Sequence, residues 1–263
     1  MHRLSALLFA AASTLALAQF ASAADLPMKA PAYKAPPAIV ASPWTGFYIG
    51  AHVGGAWGSD ISQNMNDTNG GGFDDPNFGG ATKFSVIGGG LIGYNWQFAP
   101  SWVAGVEGDF SWTSLNNSNT NAPATAGGGA VPTTSLTMSN DVRWLASARG
   151  RLGYVWDRGL FYVTGGAAWE NVAYSATLTA LAPFVASTSF TKTNSGWVIG
   201  PGVEWLLTPN WTVRAEYLYY SFPGASATTF FLPAPCGGCT GPVNYSWSSG
   251  NVQTLRAAIS YKF

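Results

Sequence analysis

Charged residues are scarce in this chain: 12 Lys+Arg and 12 Asp+Glu among 263 residues, 9 % in all, with a formal net charge of zero. An ordinary soluble domain carries about 25 %, so too little charge is present to clothe a conventional water-facing surface. The even balance also removes the electrostatic case for nucleic acid as a partner. Cysteine is limited to Cys236 and Cys239 and histidine to His2 and His52, which excludes a Cys/His metal cluster. Beyond the N-terminus no apolar run reaches the ~20 residues that a membrane-spanning helix needs. Glycine (32 residues) and aromatics (14 %, with 12 Trp) are abundant instead. Glycine weakens helices and aromatics favour pleated surfaces, so the composition points to strands.

The N-terminus has the layout of an export signal. Arg3 supplies a short basic start, residues 4–17 are apolar but for Ser and Thr, and Ala21-Ser22-Ala23 fits the small-x-small cleavage rule. The apolar stretch is short for a retained anchor. Cleavage is therefore expected after Ala23, with Ala24 opening the mature chain and residues 1–23 removed. Residues 24–43 are rich in Pro and Ala and without period, which reads as a periplasmic tether of disordered or polyproline-like character.

From Trp44 onward the apolar residues recur with period two, the strand signature. Eight such segments are expected: 46–58, 83–98, 102–113, 141–156, 160–173, 196–207, 211–222 and 251–263. The third is the clearest, with Trp102, Ala104, Val106, Phe110 and Trp112 on one face and Gly105, Glu107, Asp109, Ser111 and Thr113 on the other. In the fourth, Val142, Trp144, Ala146, Ala148, Leu152, Tyr154 and Trp156 oppose Arg143, Ser147, Arg149, Arg151 and Gly153. Short connections (Ala99-Pro100-Ser101, Asp157-Arg158-Gly159, Thr208-Pro209-Asn210) alternate with long ones at 59–82, 114–140, 174–195 and 223–250. That asymmetry is expected of an outer-membrane barrel.

Two features say which face meets lipid. Trp96, Trp102, Tyr154, Trp156, Phe161, Trp205, Trp211, Tyr261 and Phe263 flank the short turns or the C-terminus, while Trp57, Trp112, Trp144, Trp169, Trp197 and Tyr219 flank the long connections. At ~3.3 Å per residue and ~45° tilt, the two belts lie about 19–28 Å apart, bracketing an apolar band of ~25 Å. The polar face carries Glu107, Asp109, Glu170, Glu204 and Glu216 against Arg143, Arg149, Arg151, Arg214, Arg256 and Lys262. In lipid each charge would cost a few kcal/mol. Inside a closed cylinder they can neutralise one another, and closure removes sheet edges that hydrocarbon does not tolerate. The expected fold is all-β: an eight-stranded antiparallel up-and-down transmembrane β-barrel spanning 44–263, with short periplasmic turns, long extracellular loops and a lumen charge network of those eleven residues.

The junction A-S-A-A-D-L-P, the opening W-T-G-F-Y-I-G (44–50), G-G-G-L-I-G-Y-N-W-Q (88–97), V-E-G-D-F (106–110), R-G-R-L-G-Y (149–154) and the terminal Y-K-F (261–263) together resemble the alphaproteobacterial outer-membrane immunogenic proteins, small OmpA-like barrels of the "porin family". The resemblance covers about 24–263 except the long loops. It implies eight strands, outer-membrane location, surface-exposed antigenic loops and no catalytic residues. It also implies partners: outer-membrane lipid and lipopolysaccharide, periplasmic chaperones and the barrel-assembly machinery. Phe263, with Tyr261 and the alternate apolar residues before it, resembles the recognition signal for that machinery. No peptidoglycan-binding segment follows Phe263, so strong wall anchoring is not expected.

Other signals weigh less. Gly88-x-Gly90-x-x-Gly93 fits a dinucleotide fingerprint literally, but that motif needs a helix after it, and Tyr94-Asn95-Trp96 continues a strand. Cys236-Gly-Gly-Cys239 lies in the last long loop without βαβ context. In an oxidising compartment it reads as a local disulfide, with free thiols the other reading. Glu107 and Asp109 read as partners of arginines rather than a hydrolytic pair, and His52 as a packing residue. The expected function is an integral, non-enzymatic outer-membrane barrel with an envelope-structural and surface role, its lumen closed by ion pairs. A narrow porin for small polar solutes, a surface receptor or adhesin with an unknown extracellular ligand, and a soluble lipocalin-like carrier are the alternatives.

Overall fold

Period-two patterning in a chain poor in helix formers produces strands throughout, and the described residues contain no helix. The computed structural model describes residues 43–58, 63–67, 73–78, 83–121, 125–126, 129–130, 135–180, 184–230, 242–247 and 250–263. In chain order the strands are β1 (Gly46–Gly58), β2 (Gln63–Asp67), β3 (Phe73–Phe78), β4 (Phe84–Ala99), β5 (Trp102–Asn121), β6 (Thr125–Ala126), β7 (Gly129–Ala130), β8 (Ser135–Trp156), β9 (Gly159–Ala180), β10 (Phe184–Leu206), β11 (Trp211–Phe222), β12 (Ala225–Phe230), β13 (Pro242–Trp247) and β14 (Gly250–Lys262). Eight of them close a barrel in the order β1-β14-β11-β10-β9-β8-β5-β4, with every pairing antiparallel.

The register fixes the tilt. From Tyr48 it runs through Gly93, Glu107, Arg149, Gly166, Val198, Tyr220 and Val252, and meets β1 again at Gly58, ten residues beyond the start (58 − 48). A closed sheet with such a stagger must tilt its strands. Tight turns join one end: Pro100-Ser101 follows β4, and Asp157-Arg158 follows β8, with Asp157 at φ 54° as a primed hairpin turn requires.

The outer wall is apolar. Phe47, Val53, Val86, Ile92, Val106, Val163, Ile199 and Leu255 are exposed on it, and Trp96, Trp102, Trp156, Trp112 and Trp197 stand towards its two rims. In water so large an apolar surface is a liability. Hydrocarbon matches it, and the closed ladder leaves no edge to satisfy.

Two sequence expectations need correction. The stretch 174–195 is not a long loop. β9 and β10 run on as one hairpin, paired from Gly159↔Trp205 to Ala180↔Phe184, and β8 follows them up to Ser135↔Thr179. Backbone pairing beyond the apolar band needs only a partner strand, and the threonines there, with Tyr174, Val185 and Phe190, are good strand formers. Strict alternation also breaks in β8. A β-bulge lies between Val142 and Trp144, and the β5–β8 ladder shifts between Trp112 and Leu115. The extra residue, Arg143, is exposed, whereas Val142, expected on the outer face, is buried. One inserted residue swaps the faces of everything beyond it. A second sheet, β12-β13-β2-β3-β6-β7, is formed by the segments between the barrel strands at the end opposite the tight turns.

Candidate functional site

The inner face is layered. Nearest the tight turns, Trp44, Val103, Leu160, Tyr162 and Leu206 form an apolar floor. At the far end, Met138, Val142, Leu145, Val172, Tyr174, Tyr220, Phe222, Tyr245 and Trp247 belong to a larger apolar cap, in which Tyr174, Phe190 and Trp247 rings lie 5.1–5.6 Å apart. Charges occupy the layer between.

That layer is written twice. In the half made of β1, β4, β5 and β8, Tyr48, Gly93, Glu107 and Arg149 stand side by side in register. In the half made of β9, β10, β11 and β14, Tyr162, Gly202, Glu216 and Arg256 do the same. Each tyrosine lies over the glycine beside it: a Cβ on Gly93 would strike Tyr48 Oη, and one on Gly202 would strike the Tyr162 ring. Each then donates its hydroxyl to the glutamate of its row, Tyr48 to Glu107 at 2.7 Å and Tyr162 to Glu216 at 2.9 Å.

Each glutamate takes arginines from both halves, and Glu107 has a second from its own half, Arg151 at 3.7 Å. Glu107 is bound by Arg149 and by Arg214; Glu216 is bound by Arg256 at 2.7 Å and by Arg149 at 3.1 Å. Arg256 also crosses to Asp109 (3.1 Å), Arg151 to Glu204 (2.6 Å), and Arg149 reaches Asp109 at 3.0 Å. The guanidinium groups stack as well, Arg151 at 4.4 Å from the Tyr162 ring centre and Arg214 at 5.5 Å from that of Tyr48. Ser147 donates to Asp109 at 2.6 Å, and His52 and Ser111 are 2.8 Å apart beside them. All eight charged side chains are at most 4 % exposed. Four acids face four arginines, so the layer is neutral. Buried charges are tolerable on those terms, while removal of one partner leaves another charge stranded, at a cost of about 3–5 kcal/mol.

The structure thus brings together Glu107, Asp109, Arg149, Arg151, Glu204, Arg214, Glu216 and Arg256. It does not bring in the other three residues expected there. Arg143 is exposed at the bulge. Lys262 is half-buried at the rim, where its ammonium donates to the Pro43 carbonyl. Glu170 is buried but apart, bonded to Asn194. At the C-terminus Phe263 donates its N–H to Phe47 O (2.9 Å), and the Tyr261 ring packs 5.2 Å from Trp211 and 5.3 Å from Phe263. Cys236, Cys239, Ala23 and Ala24 lie outside the described residues. Gly88, Gly90 and Gly93 sit within β4, with strand on both sides. Among the described residues no three His, Cys, Asp or Glu side chains form a metal-sized group. The sequence reading missed Tyr48 and Tyr162 as members of the site. The available signal was an aromatic on the polar face in two short repeats, F-Y-I and F-Y-V (47–49 and 161–163).

The outer membrane protein beta-barrel domain family matches residues 5–263. The 31 kDa outer-membrane immunogenic proteins of Brucella melitensis biotype 1 and Brucella suis biovar 1 are each 30 % identical over 250 residues, covering 92 % of this chain and 93 % of their own. The 22 kDa outer membrane protein of Rhizobium leguminosarum bv. viciae is 32 % identical over 187 residues, 71 % of this chain and 68 % of its own. Among solved structures, the outer membrane protein OprG from Pseudomonas aeruginosa is similar over 83 % of this chain and 96 % of its own, at 12 % identity and a TM-score of 0.45.

Proposed function

This chain belongs to the outer membrane protein beta-barrel domain family and is an integral outer-membrane protein; from that premise we propose that it is a non-catalytic barrel that strengthens the envelope and displays its loops outside, with a lumen closed by ion pairs. The observation that carries closure is the set of arginine–carboxylate pairs that bridge the two halves, Arg149–Glu216, Arg214–Glu107, Arg256–Asp109 and Arg151–Glu204. A pair along one wall would leave the axis clear; Arg149–Glu216, Arg256–Asp109 and Arg214–Glu107 join strands three or four apart round the ring and fill it, as small eight-stranded barrels generally are filled. The apolar floor and cap add to the same barrier.

Closure is tested by planar-bilayer recording. The wild-type barrel is expected to conduct poorly, while Arg149→Ala/Arg214→Ala, which deletes two bridging arginines, opens a measurable water path. Large, stable wild-type channels would mean a porin instead. The name of the Brucella relatives supports an antigenic surface role, for which the segments 59–82, 122–134 and 223–249 between the barrel strands are the candidates. Protease added to intact cells should cut there and leave the barrel whole. Export and assembly follow the same proposal: N-terminal sequencing of the mature protein should begin at Ala24. Deleting Phe263 should slow insertion by the barrel-assembly machinery and prolong residence with periplasmic chaperones, the mature barrel then lying among lipid and lipopolysaccharide.

A further inference from the structure

The glycines of the barrel wall fall into two kinds. Those facing the lumen are packed: a Cβ on Gly89 would strike the Phe110 carbonyl, and one on Gly54 the Leu255 carbonyl. Three that face outward are not. A Cβ on Gly90 or Gly108 would lie 3.8 Å from its nearest neighbour, a carbonyl oxygen, and one on Gly150 would meet nothing within 4 Å. Packing within the protein does not call for glycine there, and a strand glycine of that kind marks a place where something else comes close.

The three floor a depression in the outer wall of β1, β4, β5 and β8. Two hollows of about 650 and 500 Å³ adjoin at Ile92 and Gly108. Ile49, Gly90 and Trp112 line the first, and Tyr94, Ala148 and Gly150 the second. The Phe110 and Trp112 rings, 4.8 Å apart, edge the end nearer the long connections, and Phe47 and Tyr94, 4.7 Å apart, edge the other.

A positive charge stands over this depression. Arg143, the extra residue of the β8 bulge, is exposed, and among the described residues it forms no ion pair, not even with Asp141 two residues away. Bulges commonly re-aim a side chain. Arg143 precedes Trp144, the register partner of Trp112. At ~3.3 Å per residue and ~4.8 Å per strand, the ten-residue stagger tilts the strands by roughly 40° and puts Arg143 about 14 Å from Gly90, directly above it along the membrane normal. Gly90 is midway between Phe84 and Trp96, the exposed aromatics at the two ends of β4. Half of a ~25 Å apolar band is about 12 Å, so Arg143 lies at headgroup depth. Beside it, in the row of Trp144, Asn171 donates to Thr193 at 3.2 Å, both side chains accessible from outside.

Apolar hollows below a guanidinium suit an occupant with hydrocarbon chains and an anionic head. A second barrel suits them less, because the aromatic edges would hold its convex wall off the glycine floor, whereas flexible chains can enter. With the long connections outside the cell, as in the reading above, this depth belongs to the outer leaflet. We propose that this face binds one molecule of lipopolysaccharide, the phosphorylated glycolipid of that leaflet, with a phosphate on Arg143 and acyl chains in the hollows over Gly90 and Gly108.

The test is titration of the refolded mature barrel in detergent with rough-type lipopolysaccharide, bound molecules being counted by native mass spectrometry. One tightly held molecule per barrel is expected. Arg143→Gln should weaken it about tenfold, and Gly90→Leu/Gly108→Leu, which fills the hollows and leaves Arg143 in place, by a similar factor. Lipopolysaccharide stripped of phosphate should bind the wild type as weakly as the intact lipid binds Arg143→Gln, and phosphatidylglycerol more weakly than intact lipopolysaccharide. Heat-modifiable gel mobility reports that each variant has folded. Unchanged affinity in either variant overturns the proposal. So does phosphatidylglycerol bound as tightly, or a dimer that the two leucines abolish, in which case a second copy fills the hollows. The titration does not depend on orientation in the cell, which protease digestion checks separately, so failure of the site and failure of the surface reading are distinguishable.

Discussion

The two halves of the barrel carry the same row of four residues and differ in what surrounds it. Along the hairpins β4–β5 and β10–β11 the correspondence is constant at 109 positions: Gly93 with Gly202, Trp96 with Trp205, Pro100 with Pro209, Trp102 with Trp211, Glu107 with Glu216. The neighbours diverge. The first half adds Asp109 and Arg151, where the second has Leu218 and Ala258; the second adds Glu204 and Arg214, where the first has Asn95 and Gly105. Each half is therefore neutral by itself, with two acids and two arginines.

Neutral halves could have paired wholly within themselves, and the placement of the extra charges limits how far they do. In register, Asp109 faces Ser147 and Arg151 faces Gly105, with the Glu107–Arg149 pair between them. The two are thus four positions apart along the strands, about 13 Å at ~3.3 Å per residue. Neither can satisfy the other: besides Arg149 and Glu107 of their own half, Asp109 takes Arg256 from across the lumen and Arg151 takes Glu204, two strands round the wall in the other half. The difference between the halves teaches how a repeated unit becomes a plug: the shared rows supply one bridge between themselves, Arg149–Glu216, and the unshared charges add three more, Arg214–Glu107, Arg256–Asp109 and Arg151–Glu204.

The comparison can be broken or sharpened in three ways. The largest effect is expected at the glutamates of the rows. Glu107→Ala and Glu216→Ala should each lower stability by about 3–5 kcal/mol, since each strands buried arginines; urea unfolding in lipid vesicles, followed by tryptophan fluorescence, measures this. A marked inequality between the two would show that the rows are alike in geometry only. Next come the glycines. Gly93→Ala and Gly202→Ala should each cost about 1–3 kcal/mol through overpacking. The nearest atoms to a Cβ added at Gly202 all belong to the Tyr162 side chain, whereas one added at Gly93 would also lie 2.7 Å from the Val106 carbonyl oxygen. Adding Tyr162→Ala should therefore relieve Gly202→Ala fully, while Tyr48→Ala relieves Gly93→Ala only in part, as double-mutant cycles will record. The smallest effect is expected at Arg143, which belongs to neither row: Arg143→Gln should change stability by no more than about 0.5 kcal/mol, and a loss near that of the glutamate variants would place it back in the lumen.

Much of this was legible in the chain. Segments 46–58 and 211–222 coincide with β1 and β11, and the outward aromatics of both rims follow from alternation. Three things were hidden. The repeat was obscured because its spacing changes from 114 at the tyrosines to 109 at the glutamates and 107 at the arginines. The extension of β8, β9 and β10 was read as loop because its composition is polar and lipid no longer enforces alternation there. The apolar cap escaped because some members, such as Leu145 and Val172, sit on the inner face where a polar lining was expected, and others, Met138, Tyr174, Tyr245 and Trp247, lie in stretches read as loop.

Strand number, the faces of most residues, the tight turns and the two aromatic rims are local properties, set by period-two patterning and turn residues within a dozen positions. The choice of which arginine meets which carboxylate is not local: Arg214 and Glu107 are 107 positions apart, Arg256 and Asp109 147. Only closure of the sheet, with its ten-residue stagger and one bulge in β8, decides those encounters and sends Arg143 outward, because a register is a property of paired strands and no single strand contains it.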